Sequence, residues 1–299
     1  MRVGLGTGST ASFAVRRLGE RIQQGELTGI SCASTSEETR MLVGNCFLGD
    51  SFPVVPATAT VLATAAAAAA AATYSFCYVV EDSSRRPCMR EVSVQAESLG
   101  ISVFPLDEIS LPLDVAIDGA DEVLKTDSGL VLIKGRGGAL MREKLVEVNS
   151  KRFVCIVDED KVIHHSAFGT TGALPLEIVQ YGAQATRRAV LAAVVDALGE
   201  GGPQGGPHGG PPEDPERAAE ELGVSAVYRH RKDSKELFVT DNGNLCLDLF
   251  FKKAIKNPHK LHQKLINVVG VVETGLFIGL TDFCIVGHPS GNTTQLTLS

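Results

Sequence analysis

Between residues 2 and 160, short runs of small and branched apolar residues recur, each followed by a turn or by a stretch with helical periodicity. The runs are "RVGLG" (2–6), "LTGISCAS" (27–34), "ISVFP" (101–105), "LDVAID" (113–118), "GLVLIKG" (129–135) and "RFVCIVD" (152–158). Most lack the strict alternation of a strand with one wet face, so they read as strands covered on both sides. Helical stretches lie between them at "STASFAVRRLGERIQQ" (9–24), "VSVQAESLG" (92–100) and "GALMREKLVEVNS" (138–150). Strand and helix in alternation predict an α/β architecture built on a Rossmann-like, mainly parallel sheet.

From about residue 172 the pattern changes. "ALPLEIV" (173–179) and "LFVTDNGNLCLDLFF" (237–251) read as strands, and "AQATRRAVLAAVVDALG" (183–199) and "PHKLHQKLINV" (258–268) as helices. Asn242-Gly243 suits the positive φ angles of a tight hairpin, and Asn257 followed by Pro258 suits a helix cap and first helical position. These predict a second, smaller α+β domain. A chain of 299 residues is long enough for two cores. The expected division is a Rossmann-like domain over 1–171, an α+β domain over 172–273, and a return of 274–299 to the first sheet through "GLFIGLTDFCIVG" (275–287).

Two segments interrupt the pattern. Residues 51–80 contain no charged side chain and are long enough to span a bilayer, but they are mostly alanine and threonine rather than the Leu, Ile and Phe that drive insertion. They read as part of an insertion over about 41–93, helical in part at Ala65 to Ala72 or disordered. "GEGGPQGGPHGGPPEDPE" (199–216) reads as a flexible surface loop. A formal charge of -7 leaves no general footprint for nucleic acid. Seven scattered cysteines form no C-x-x-C pair, and the first residues lack the apolar core of a signal peptide, so a reducing, cytoplasmic setting is expected.

Chemistry-bearing residues gather at the ends of the predicted strands. "GLGTGSTA" (4–11) turns from strand to helix through glycines, which brings backbone N–H groups against an anion. Gly6, Gly8 and Ala11 fit the G-x-G-x-x-A of dinucleotide sites, yet "SCASTSEE" (31–38) offers hydroxyls where the usual acidic residue should stand. The hydroxyls of Ser9 and Thr10 suit a phosphate monoester better than a ribose diol, and a plain turn with no ligand has the same pattern. "DGAD" places Asp118 and Asp121 at a strand's carboxyl end, where open α/β sheets bind ligands. Gly119 and Ala120 between them allow close approach. In "KGRGGALMREK" (134–144), Lys134 ends a strand and Glu143 sits in the following helix, a cation for developing oxyanion charge and a carboxylate base on separate elements. The charges of Arg142, Glu143 and Lys144 also fit a solvated helix face. Lys161 ends "DEDK" as a possible phosphate partner. His259 and His262, set among lysines, read as an exposed basic face rather than metal ligands.

In this order, "GLGTGSTA", "AIDGADEV", "KGRGGALMREK", "FVCIVDEDK", "LPLEIV" and "FVTDNGN" resemble type A ribose-5-phosphate isomerase over most of residues 2–40 and 94–287. The resemblance implies a metal-free, cofactor-free interconversion of ribose 5-phosphate and ribulose 5-phosphate, a ferredoxin-like small domain, and a homodimer or larger assembly. It implies Glu143 as the base between C1 and C2, and Lys134 as the partner of the developing negative oxygen. Asp118 and Asp121 would serve ring opening and the sugar hydroxyls. Thr7, Gly8, Ser9 and Thr10 would form the substrate loop, with Gly119, Ala120, Gly135, Arg136, Gly137 and Lys161 also at the substrate. The family joins "TSEETR" (35–40) directly to "VQAESLGISVF" (94–104), which sets the intervening stretch apart as an insertion. A non-catalytic sugar-phosphate regulator on the same fold, a dinucleotide oxidoreductase and an inactive isoform are the competing readings.

Overall fold

The structure is a computed structural model and describes residues 1–6, 9–35, 102–104, 106–199 and 212–297. Thr7 and Gly8, the insertion, the helix expected at 92–100 and most of the Gly/Pro-rich run lie outside the described residues. In chain order the elements are β1 (Arg2–Leu5), α1 (Ser9–Gln23), β2 (Ser31–Ser34), β3 (Ser102–Val103), β4 (Val115–Asp118), β5 (Glu122–Thr126), β6 (Gly129–Ile133), α2 (Leu140–Val148) and β7 (Phe153–Asp158). There follow β8 (Leu174–Ile178), α3 (Ala183–Leu198), α4 (Pro215–Glu221), β9 (Val224–Tyr228), β10 (Leu245–Phe251), α5 (Pro258–Ile266), β11 (Val271–Thr274), β12 (Leu276–Ile278), β13 (Phe283–Gly287) and β14 (Thr293–Thr297).

The fold is α/β. A seven-stranded sheet runs β14-β13-β7-β4-β1-β2-β3, and every neighbouring pair in it is parallel except β13 with β14. All four residues of β4 and the first five of β7 are buried, as expected for strands covered on both faces. A second sheet, β11-β8-β10-β9, is antiparallel and packs one face on α3 and α5 through Leu176, Val190, Val194, Leu247, Leu249, Leu261 and Leu265. The Asn257 side chain accepts the Lys260 N–H, with Pro258 as the first helical residue of α5.

Three short strands, β12-β6-β5, form a third, antiparallel sheet between the two cores. Its side chains alternate: Val123, Leu130, Leu132 and Phe277 join the core of the large sheet, while Leu124, Val131, Ile133 and Leu276 join the core of the second. "GLVLIKG" therefore does not extend the parallel sheet, as its apolar run suggested. Both its faces are buried, but against two different cores. Similarly, "GLFIGLTDFCIVG" is two strands rather than one: β12 pairs antiparallel with β6, and β13 returns parallel to β7. The "TDNGN" turn forms with positive φ at Gly243 alone, and its first arm contributes isolated bridges rather than a strand.

Candidate active site

The carboxyl ends of β1 and β4 lie side by side at the middle of the large sheet. The Gly6 N–H donates to Ile117 O at 2.8 Å, and any β-carbon at Gly6 would overlap the Asp118 carboxyl. A glycine is therefore required for the aspartate to turn inward over the end of β1. The start of α1 closes the same corner, because a β-carbon built on Gly119 would stand 3.9 Å from that of Thr10. Asp118 is fixed by the N–H of Gly119, which donates to its Oδ1 at 2.7 Å.

Just beyond the end of β6, Lys134 is delivered into this corner. Its Nζ lies 2.8 Å from Asp118 Oδ2, 3.4 Å from Glu147 Oε1 and 3.7 Å from Glu143 Oε2, and it donates to Gly119 O at 2.5 Å. The rings of Phe277 and Phe153 are 5.3 and 5.9 Å from the ammonium, an aromatic lining that helps hold a cation out of water. Burial works against the Lys134 charge, but Asp118, Glu143 and Glu147 outweigh it and hold its pKa well above the ordinary lysine value. Burial pushes the Asp118 carboxyl up to about 7 against the pull of Lys134, with Glu143 adding to the rise. A carboxyl poised there exchanges protons at neutral pH.

Glu143 and Glu147 are four residues apart on α2, one turn of helix, and share its buried face with Leu140 and Val146. The helix starts where it does because the glycine turn before it reverses the chain: Gly135 has φ +91°, and a β-carbon there would overlap Leu140. The charges of α2 do not form a solvated face. Arg142 Nε donates to Asn242 Oδ1 at 2.9 Å, and Lys144 Nζ donates to Glu273 Oε1 at 2.7 Å, to Thr274 O at 2.8 Å and to Leu276 O at 3.0 Å. Both flanking cations thus tie the helix to the second sheet and leave Glu143 pointed at Lys134. Asn242 is held in turn by buried Glu177, whose Oε1 accepts from Thr240 Oγ1 and from the amides of Asn242 and Asn244 at 2.8–2.9 Å. The "TDNGN" turn owes its shape to this carboxylate.

The two aspartates of "DGAD" have different partners. Asp118 meets Lys134, whereas Asp121 Oδ2 accepts the Arg136 N–H at 3.0 Å and so secures the glycine turn. The Arg136 guanidinium points away from Lys134: it donates to Glu122 Oε1 at 2.7 Å and to Ala173 O at 2.9 Å. Glu122, fully buried, also accepts from Gly169 N–H and the Thr171 hydroxyl. Arg229 donates to Arg136 O at 2.7 Å while forming a two-pronged pair with Asp248, which braces the same turn from the second sheet. Lys161 lies past the end of β7, 40% exposed, with its Nζ 3.7 Å from Asp160. Ala120 packs on the large core, and Gly137 lies in the turn before α2. Of the residues singled out in the sequence, the structure gathers Asp118, Lys134 and Glu143 around one point, with Gly119 and Thr10 beside them.

Two features escaped the sequence reading. Glu147 enters the same cluster, and the signal available was its spacing of four from Glu143 on a helix whose other inward residues are apolar. His262 is not part of an exposed face: its Nδ1 is 2.7 Å from Thr274 Oγ1, and burial together with nearby Lys144 lowers its pKa.

A family model described as Ribose 5-phosphate isomerase A (phosphoriboisomerase A) matches residues 87–201 and 214–291. The ribose-5-phosphate isomerase A of Bacillus mycoides is 32% identical over 291 residues, covering 97% of this chain and 90% of its own length. The chain belongs to the ribose 5-phosphate isomerase A family. Solved structures agree with that placement. The ribose 5-phosphate isomerase of Plasmodium falciparum superposes with a TM-score of 0.65 at 26% identity, covering 99% of this chain and 90% of that one. The isomerase A of Methanocaldococcus jannaschii gives 0.64 at 27% identity, covering 99% and 91%. Among the described residues no helix is long and apolar enough to cross a membrane, and the four described cysteines, Cys32, Cys155, Cys246 and Cys284, are buried.

Proposed function

We propose that this chain interconverts ribose 5-phosphate and ribulose 5-phosphate through an enediolate. The observation that carries the reading is the shared ammonium: one buried lysine held between Asp118 and Glu143 at 2.8 and 3.7 Å. Glu143 removes the proton from C2 of the open-chain aldose, and the electron pair forms the C1–C2 double bond while negative charge develops on O1. Lys134 stabilises that oxygen, which in a buried site is worth more than in water. Asp118, poised near neutrality, exchanges protons with the sugar hydroxyls during ring opening and between O1 and O2. Glu143 then returns its proton to C1, leaving the ketone at C2. Every proton removed is restored, so the reaction needs no redox partner.

In the same reading the phosphate end rests on Thr7, Gly8, Ser9 and Thr10, with Lys161 as a second contact. Asp121, Gly135, Arg136 and Gly137 shape the wall through the turn they build, and Gly119 and Ala120 line its approach. Residues 1–171 and 274–299 form the catalytic body and 172–273 the smaller one, in line with the origins of the two larger sheets. Scattered cysteines that form no C-x-x-C pair support a cytoplasmic setting, and the family resemblance supports a homodimer or larger assembly. The test is a direct assay of the purified protein with ribose 5-phosphate in the presence of a chelator. Ribulose 5-phosphate is the expected product; binding of the sugar phosphate without turnover would favour a regulator instead.

A further inference from the structure

Three carboxyl groups face one ammonium at the ends of β4 and β6, nearly out of reach of water. Side-chain exposure is 3% for Asp118, 5% for Glu143, 1% for Glu147 and 3% for Lys134. With all four ionised, the interior would hold two uncompensated negative charges, and carboxylates so close do not ionise together. The resting pocket therefore keeps at least one carboxyl protonated. Hydrogen bonding singles out Glu147, which among these three is the carboxyl with both oxygens buried and without a hydrogen-bond partner in the described residues. Asp118 has the Gly119 N–H on Oδ1 and Lys134 at 2.8 Å from Oδ2. Glu147 stands 3.4 Å from Lys134, and among the described residues neither of its oxygens accepts a hydrogen bond. A carboxylate without donors is the form that burial disfavours most.

We propose that Glu147 is a positioning residue for the isomerisation: it keeps its proton through the working pH range, so that the Lys134 ammonium serves Asp118 and the developing oxyanion, and its ionisation at alkaline pH shuts the site down. This rests on the reading of Glu143 as the base. The groups that face Glu147 are Lys134 from the end of β6, Asp118 from β4, Cys155 from β7, and Glu143 and Lys144 from its own helix. Burial pushes the Glu147 carboxyl well above the usual range despite the pull of Lys134, and Asp118 and Glu143 push it in the same direction. Once ionised, it would add negative charge where the enediolate must form and compete for the Lys134 ammonium that these three carboxyls share.

The pH dependence of kcat/KM in native protein and in Glu147→Gln tests this, because glutamine keeps the size of the side chain and removes its ionisation. The alkaline limb is expected to move up by about one pH unit, the scale of a like-charge interaction inside a site. Limbs that superimpose would overturn the proposal. Since a buried substitution can impair folding, the native protein carries a second arm. Infrared difference titration of 13C-glutamate-labelled protein should reveal a protonated glutamate carbonyl that persists after Asp118 has titrated and disappears along the alkaline limb. Absence of that band at neutral pH in a protein that turns over ribose 5-phosphate would refute the role of Glu147 alone. A band without turnover would instead refute the isomerase reading on which it rests.

Discussion

Replacing Lys134 with methionine keeps the bulk of the side chain and removes the ammonium from among three carboxyls at 2.8, 3.4 and 3.7 Å. Any carboxylate that stays ionised is then buried without a counter-charge, and losing one partner of a buried pair costs about 3–5 kcal/mol. The pocket can avoid part of that cost by taking up protons, so the loss depends on pH. In the native protein the Asp118 carboxyl is raised from its ordinary 3.8 to about 7. The folded state then binds that proton more tightly than the unfolded chain, and this group's contribution to stability declines as pH rises between the two values. Without Lys134 the Asp118 and Glu147 carboxyls rise further, and the decline extends to more alkaline pH. Urea unfolding of Lys134→Met should therefore show the full loss near about pH 8 and a markedly smaller one near about pH 5, where Asp118 and Glu147 are protonated. An equal loss at the two pH values would refute the account of the cluster. Turnover of ribose 5-phosphate should fall by about 10²–10³, the usual cost of removing an oxyanion partner.

Two further outcomes follow from the packing around the site. Gly6→Ala should displace the Asp118 carboxyl, whose place the new β-carbon would take, and lower kcat/KM by about 10²-fold, the scale attached to a misplacement of about 1 Å; steady-state kinetics at neutral pH measure it. Arg136→Ala should lower stability by about 3 kcal/mol, toward the low end for a broken buried pair, because Glu122 keeps the Gly169 and Thr171 donors. Denaturant unfolding checks it, and a variant as stable as the native protein would mean that the Glu122 pair contributes nothing.

The parts of the fold that were legible in the sequence are those whose signal is local. β4, β7 and α2 are bounded by residues that end an apolar run or turn the chain, and Asp118 and Lys134 could be placed because each sits where such a run stops. β5 was missed because "EVLKT" is short and carries two charges in five residues; it is a strand because Asp127 and Ser128 turn it back onto β6. The separation of β6 from the parallel sheet was not legible either, since a strand between two cores has the same unbroken apolar run as one inside a sheet. At the site, Glu143 could be told from its charged neighbours only through the family resemblance. Its inward direction depends on Asn242 and Glu273, which are distant in sequence and take up Arg142 and Lys144. Glu147 belongs to none of the strand-end patterns, and its spacing of four from Glu143 placed it on the same helix face without showing that this face meets Lys134.

In the proposed reaction a single helix-borne carboxylate, Glu143, carries the proton between C1 and C2, and this role decides whether the site is an isomerase. It is tested most directly by Glu143→Gln, with turnover of ribose 5-phosphate and calorimetric binding of the same sugar phosphate measured on one preparation. Turnover should vanish while affinity stays close to native. Isomerisation at the native rate would contradict the assignment.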